Sequence, residues 1–586
     1  MKIRFIFCLV VLAGAITMLF EGCDSSSNGN GYNINGGRVY GGCFTISQTE
    51  YITSLYPLST IDVYSSTIAR QIFEGLVKLN TKDLSVIPSL AESWEVDETG
   101  TVYTFHLKKD VKFHDDPCFN NAKGREMTAS DVKFSLETLC TQSEDNLMFN
   151  LILKDKLLGA NEYYEVSASG KPDFDLEGLK VIDDYTIQMT LSSANSSFLY
   201  LLALTAASIV PSEAIEKYGN QATIGTGPFT LSPGPNLKAE QFVLLKNRNY
   251  HGVDSLGNQL PFIDSVKIAM LDSKRAELEA FKKGNVDVVI GLPSESIKEI
   301  VEEQISNFQS QPPLYILDRS PEMATQYYVL NLTREVFKDK RVRQALNYAI
   351  DRNRIIENIL KGQAFGPGHH GITPPSFKDY DISQIKGYSF NPDKAKQLLA
   401  EAGYPEGKGF PQIKLELNSS GFKNTSIAIE IQKQWSKTLE INIDLEVVPL
   451  AKKLDDELFG RADVFRSGWI ADVPWPVDFL HLFYGKNVPE SLEEPSHPNS
   501  SRYVNPEFDE LYEKGLAASD KSESYQYFAQ AEQVLMDDAA TIILFYTESY
   551  VLIQSDVRNY FSNPMNYRDF SQIYFKAPVA AITKKG

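Results

Sequence analysis

Histidine, cysteine and net positive charge are scarce in this sequence, and each scarcity removes a class of function. Seven histidines in 586 residues leave little from which to build a metal centre. Only His369 and His370 adjoin, and without a nearby cysteine or third histidine such a pair makes a poor ligand set. No metal site and no cofactor is expected. Lysine and arginine number 57 against 76 acidic residues, a formal charge of −19. That balance argues against nucleic acid as a partner, because a phosphate backbone is met by a basic surface. A Gly-x-Ser-x-Gly elbow, a P-loop and a His-Glu-x-x-His helix are all missing. The acidic side chains read as a solvated surface rather than as acid/base pairs, so no enzyme is expected. There is no internal repeat. Apolar runs of membrane-spanning length are missing as well, with one near-exception at the start.

That exception is "MKIRFIFCLVVLAGAITMLFEGC". Lys2 and Arg4 precede an apolar run from Phe5 to Phe20, short of the roughly 20 residues a spanning helix needs, and a small residue and a cysteine follow. This is the layout of an export signal, residues 1–22. With a cysteine where cleavage is expected, it resembles a bacterial lipoprotein signal in which Cys23 becomes the lipidated first residue of the mature chain. Phe20 and Glu21 depart from the usual Leu and small residue, and a conventional cleaved signal or an uncleaved anchor stays open beside that reading. Residues 23–37, almost all Ser, Asn and Gly after Cys23, cannot bury a core and read as a tether with a span of about 20 Å. The body that follows is expected outside the cytoplasm.

Of the five cysteines, Cys8 goes with the signal and Cys23 with the lipid. Cys43, Cys118 and Cys140 remain, and an exported chain can keep one disulfide among them. Cys118, in "HDDPCFNNAKG", and Cys140, at the end of the next helix, are the favoured pair; the alternative is three small packed thiols.

At this length, with 43% hydrophobic residues, the chain exceeds one core and should form two or more lobes. "TASDVKFSLETL" opens with Thr128 and Asp131 in capping-box spacing. "NPDKAKQLLAEAG" has Asn391 as cap, Pro392 in the first turn and Gly403 as terminator, with Ala395, Leu398, Leu399 and Ala402 on one face. "KDKRVRQALNYAIDRNRIIENILKG" reads as a helix ending at Gly362. Between such helices lie short β-rich runs: "TVYTFHLKKDVKF", "DDYTIQMTL", "QFVLLK", "SVKIAML", "VDVVIG", "IKLELN", "INIDLEVV" and "TIILFY". The interleaving predicts an α/β or α+β class with several sheets.

A series of phrases then occurs in a telling order: "IARQIFEGLVKLN", "VIPSLAESWEVDETGTVYTFHLKKDVKFHD", "VIDDYTIQMTL", "IVPSEAIEKYG", "GTGPFTL", "FKDKRVRQALNYAIDRNRII", "NPDKAKQLLAEAGYP", "GWIADVPWPVDFL" and "YVNPEFDELYEKGL". Over roughly residues 38–575 this series resembles the peptide-binding class of extracellular solute-binding proteins, the oligopeptide- or dipeptide-binding lipoproteins of bacterial ABC importers. The resemblance implies an α/β, periplasmic-binding-protein-like two-lobed fold of type II, the large peptide-binding variety. A subdomain would be inserted in the first lobe. On that template the first lobe takes 38–82, 213–318 and 547–586, the insert 83–212 and the second lobe 319–546, with "LDRSPEMATQYYVLN" and "TIILFYTESYVLI" as the crossing segments. It also implies a peptide ligand, a membrane permease with its ATPase as partners, a lipid anchor and a monomeric receptor.

The stretch "DVFRSGWIADVPWPVDFL" carries the sharpest question, whether Arg466 and Asp472 pair with each other or clamp a ligand. A zwitterionic peptide enclosed in a cleft needs a carboxylate for its ammonium, a forked guanidinium for its carboxylate and a strand edge for its backbone. The resemblance implies that Asp472 of the GWxADxxxP phrase takes the amino terminus, with Trp469 beside it. It further implies that Arg466, three residues before Trp469, takes the carboxylate, as in the oligopeptide-specific branch. Val473 stands where the family commonly has Tyr, with Trp475 two places on, so the pocket wall differs. Glu74 in "FEGL" reads as a ligand contact or a brace of its lobe. Gly225, Thr226 and Gly227 read as a close backbone approach near the crossing or a plain tight turn, and Tyr546 as cleft lining or core. Two other functions stay open: the same fold with an oligosaccharide or chelated metal as cargo, and a peptide-sensing or chaperone-like protein without transport.

Overall fold

Two long strands, Tyr315–Leu330 and Thr541–Gln554, run antiparallel to each other and carry one sheet through both lobes. Their register is continuous from Tyr315 opposite Gln554 to Pro321 opposite Glu548. It breaks between Pro321 and Thr325, resumes with Thr325 opposite Tyr546, and shifts by one residue between Gln326 and Tyr327 before ending at Val329 opposite Thr541. Proline has no N–H to give to a ladder, so the break falls where the sequence places one. The structure is a computed structural model and describes residues 33–577 apart from 36–37, 61, 233–235, 294–295, 298–299, 301, 303–312, 378, 419–420 and 519. The expected signal, Cys23 and most of the tether lie outside the described residues. Among those described, no helix is long and apolar enough to cross a membrane.

On the first-lobe side of the break the sheet continues through Val288–Ile290, Cys43–Gln48, Ser265–Met270, Gln241–Lys246 and Phe229–Leu231. On the other side it continues through Val464–Ile470, Ile413–Asn418 and Ile443–Val448. Each half has its own apolar core. Phe44, Ile46, Ile68, Ile72, Phe229, Val266 and Ile268 fill the first. Tyr328, Leu346, Leu415, Trp435 and Val464 fill the second, where the Trp435 indole donates to the Leu346 carbonyl at 2.9 Å.

A separate four-stranded antiparallel sheet of Ala91–Val96, Val102–Leu107, Thr186–Thr190 and Leu179–Asp183 belongs to the stretch 83–212. Period-two alternation turns Tyr103, Phe105 and Leu107 inward. Its core does not stop at that sheet. It runs on through Phe198 and Leu201 into Trp475, Phe479 and Phe528 of the second lobe.

The local signals at helix ends are realised in the geometry. Thr128 and Asp131 form the capping box of Ala129–Leu139, with the Thr128 N–H donating to Asp131 Oδ2 at 2.9 Å. Asn391 accepts from the Lys394 N–H at 3.0 Å, and Gly403, at φ +97°, follows the helix Pro392–Glu401. The single helix expected up to Gly362 is instead interrupted. Lys340–Tyr348 ends, and Asp351, with extended backbone, accepts from the Arg354 N–H to cap a new segment whose last turn, Ile355–Ile359, is a π-turn. An aspartate that can serve as a cap offers the chain a start within an otherwise helical pattern.

The expected disulfide is not made. Cys118 and Cys140 are both free thiols in this structure, each packed as a small apolar side chain against the core that contains Phe113 and Leu139. Burial pushes the Cys118 thiol up to about 12 and Cys140 further in the same direction, which suppresses the reactive thiolate in both.

Candidate ligand-binding site

The strand Val464–Ile470 brings the charged residues of the site to the edge between the lobes. Along one side it pairs with the long strand from Leu330 opposite Val464 to Ala324 opposite Ile470. Along the other it pairs with Ile413–Asn418 only through Val464 and Phe465. From Arg466 to Ile470 that second edge has no strand partner among the described residues. An unpaired strand edge is a row of backbone donors and acceptors open to an extended ligand.

Arg466 and Asp472 do not pair with each other. The Arg466 guanidinium donates to Gln326 Oε1 and has no carboxylate within ion-pair distance among the described residues. Burial holds its pKa below the usual arginine value. Asp472 follows the strand. Its side chain is exposed, and its carboxylate has no hydrogen bond or ion pair among the described residues. Enough protein surrounds it, however, that loss of solvation raises its pKa to about 6, an effect the Arg70 guanidinium of the first lobe only partly offsets. The Asp472 carboxylate is thus reachable by solvent yet flanked by enough protein to disfavour its charge.

The neighbours of Asp472 keep it in place. Asp478 Oδ2 accepts from the Asp472 backbone N–H at 3.0 Å and from the Trp469 indole at 2.8 Å. Burial, and then the charge of Asp472, push Asp478 well above the ordinary carboxylate range. Trp469 also meets the His481 ring edge-on at 5.3 Å. Trp469 thus orients the turn that presents Asp472. Across from it, Arg70 on the helix Val63–Ile72 stacks on the Tyr567 ring at 4.7 Å, and its buried Nε has no partner among the described residues.

Glu74 and Tyr546 are both tied into the protein by their own hydrogen bonds. Glu74 is buried and fully engaged: it accepts from Thr226 Oγ1, Tyr250 OH and His251 Nε2, all at 2.9 Å. Although burial alone would raise its pKa, the His251 contacts outweigh it and hold it at about 2. Glu74 braces the first lobe. Glu74→Ala is expected to lower stability by about 2 kcal/mol, since buried donors lose their acceptor. The lost share exists above the ordinary glutamate pKa and disappears as pH falls toward 2; urea denaturation at pH 7 and pH 3 should show a smaller difference between variant and parent at the lower pH. Tyr546 is 2% exposed and donates to the Gly371 carbonyl at 2.8 Å, so it belongs to the core. Gly225 and Gly227 do permit a close approach, though to the end of the first-lobe helix and not to the crossing: a Cβ on them would meet the carbonyl oxygens of Ile72 at 2.3 Å and Gln71 at 2.6 Å. His369 and His370 are part of no cluster of metal-ligating side chains among the described residues.

Residues 85–490 match the family described as "Bacterial extracellular solute-binding proteins, family 5 Middle". The chain belongs to this family. It is 30% identical over 519 residues to the periplasmic oligopeptide-binding protein OppA of Escherichia coli K12, spanning 87% of this chain and 88% of that one. It is 27% identical over 575 residues to heme-binding protein A of Haemophilus influenzae, spanning 95% and 97%. Among solved structures, DppA from Helicobacter pylori in complex with the peptide STSA superposes with a TM-score of 0.73 at 25% identity, covering 92% of this chain and 99% of that one. NikZ from Campylobacter jejuni in complex with Ni(L-His) gives 0.70 at 21%, covering 89% and 96%, a likeness of fold alone. These relatives are binding proteins, and the two-lobed architecture is theirs.

In this solute-binding protein the sequence reading missed Arg70, Gln326 and Asp478. Arg70 lies in a quoted phrase, but nothing local signals that a first-lobe helix turns it toward Asp472. Asp478 carried a usable signal, a second carboxylate six residues after the first on a short turn.

Proposed function

We propose that this solute-binding protein captures peptides with free termini, most suitably short oligopeptides, by closing its lobes over them, and delivers them to the permease and ATPase of an ABC importer. The observation that carries the reading is the pairing of an unpartnered, poorly hydrated Asp472 carboxylate with an open strand edge beside it. An ammonium fits the first and a peptide backbone the second. Arg466, without an acidic partner among the described residues, supplies the opposite charge for a terminal carboxylate, and Gln326 holds its fork in place. On this reading Trp469 is a positioning residue. The first lobe comprises 38–82, 213–318 and 547–586, the insert 83–212 and the second lobe 319–546. The receptor works as a monomer outside the cytoplasm, tied by a lipid on Cys23 to a membrane.

Mass spectrometry of small molecules released by denaturing the chain purified from its cells tests the cargo. Peptides of a few residues with free termini are the expected result; recovery of heme, an oligosaccharide or a metal chelate in their place overturns it. The same instrument applied to the intact membrane-extracted protein should find an acylated Cys23 as the first residue. A mature chain that starts elsewhere, or carries no acyl mass, removes the anchor but leaves the cargo reading standing.

A further inference from the structure

The stretch 83–212 and the second lobe meet through a surface that the clamp residues do not use. Ser196 donates its backbone N–H to the Leu516 carbonyl at 3.2 Å, and its Oγ lies 3.4 Å from Ser524 Oγ. Tyr200, on the short helix Phe198–Leu202, packs against Trp475 with ring centroids 5.3 Å apart, and Trp475 packs against Tyr525 at 5.0 Å. The Lys521 ammonium lies over both second-lobe rings, 5.7 Å from Trp475 and 5.2 Å from Tyr525. Aromatic pairs at these distances attract beyond the area they bury, and a cation over their faces adds to that.

One group in this contact favours its separation. Trp475 is only 4% exposed, yet its Nε1 has no hydrogen-bond partner among the described residues. A buried orphan N–H opposes the packing around it, and separation of the two surfaces would hydrate it. The contact is also wired to the ligand clamp. Trp475 stands three residues after Asp472 on a tight turn in which the Trp475 N–H donates to the Val473 carbonyl at 2.8 Å and the Asp478 N–H to the Trp475 carbonyl at 3.0 Å. A ligand that fixes Asp472 therefore fixes the face that Trp475 presents to Tyr200.

We infer that Tyr200, Trp475 and Tyr525 form a latch that docks the stretch 83–212 onto the second lobe as the lobes close, and that this stretch thereby sets how long a ligand is held. The inference rests on closure over a ligand at Asp472, as proposed above.

Ser196→Cys together with Ser524→Cys tests it, since the two hydroxyls are near enough for a disulfide between the replacements. In the full-length chain the oxidised pair should stay compact by small-angle scattering, while the reduced, ligand-free protein shows a larger radius of gyration. Oxidation should slow release of trialanine at least tenfold, with reduction restoring it. Tyr200→Ala, remote from the clamp, should speed release severalfold without lowering the thermal midpoint of the ligand-free protein. Equal radii in the two redox states overturn the latch, because the two surfaces would then move as one body. Failure of the bond to form at saturating trialanine overturns it too. If the unsubstituted chain does not bind trialanine at all, the peptide reading is at fault, and the difference in radii still decides the latch.

Discussion

Asp472→Ala should weaken binding of free-amine peptides by roughly a hundredfold or more, because removing one partner of an enclosed ion pair strands the other at a cost of about 3 kcal/mol. N-acetylated versions of the same peptides should lose less than about threefold, since they bring no charge to Asp472. Isothermal titration of residues 38–586 with both series separates the two, and equal losses would remove Asp472 from the role of ammonium clamp. The raised pKa adds a pH signature. The empty site holds Asp472 at about 6, and an ammonium binds its ionised form. Affinity should therefore be level above about pH 7 and fall by up to tenfold per unit as pH drops through 6, until the pKa of the complex is reached. Asp472→Asn should flatten that profile. A profile unchanged by the substitution would assign the titration elsewhere, the neighbouring Asp478 being the first candidate because the two carboxyls interact.

How much of this was legible in the sequence depends on the distance over which the information acts. Cap residues and periodicity act within a turn or two, so the Thr128 box, the Asn391 cap and the strand Val102–Leu107 could be placed from their own neighbours. The interruption at Asp351 was equally local and was overlooked because the apolar spacing continues across it. Sheet order is not local. Cys43–Gln48 lies between Ser265–Met270 and Val288–Ile290, and no periodicity in any of the three names its neighbour. The site divides in the same way. The GWxADxxxP phrase, with the arginine three residues before its Trp, marks Asp472 and Arg466 as candidates, and among the described residues neither has an ionic partner. Glu74 stays open between ligand contact and brace in the sequence because its partners Tyr250 and His251 lie 176 and 177 residues further on, where nothing in "FEGL" points. Cys118 and Cys140 show a further limit: proximity in sequence suggested a bond that packing does not make.

Arg466→Ala should cost peptides with a free carboxylate roughly thirtyfold or more in affinity, about 2 kcal/mol for a desolvated charge-assisted contact, and C-terminally amidated peptides much less. The expectation follows from the state of the empty site. Burial depresses the Arg466 pKa, and among the described residues the guanidinium is bonded to the neutral Gln326 amide and to no carboxylate, so the cation is incompletely compensated until an anion arrives. Arg466→Lys keeps the charge but loses the planar fork, and Gln326 can no longer orient a second N–H toward the ligand, so the lysine variant should recover only part of the loss. Peptide length supplies the decisive contrast. Asp472 is fixed by the turn after Ile470, whereas Arg466 sits within the strand, so only ligands long enough to reach both should feel the arginine. A length series from dipeptide to pentapeptide, measured in parent and Arg466→Ala, should show a threshold below which the substitution has no effect. If every length loses equally, Arg466 shapes the site as a whole and does not hold a terminus. If no length loses, the carboxylate is met by another cation, and Arg70, stacked on Tyr567 with its Nε unpaired among the described residues, is the residue to replace next.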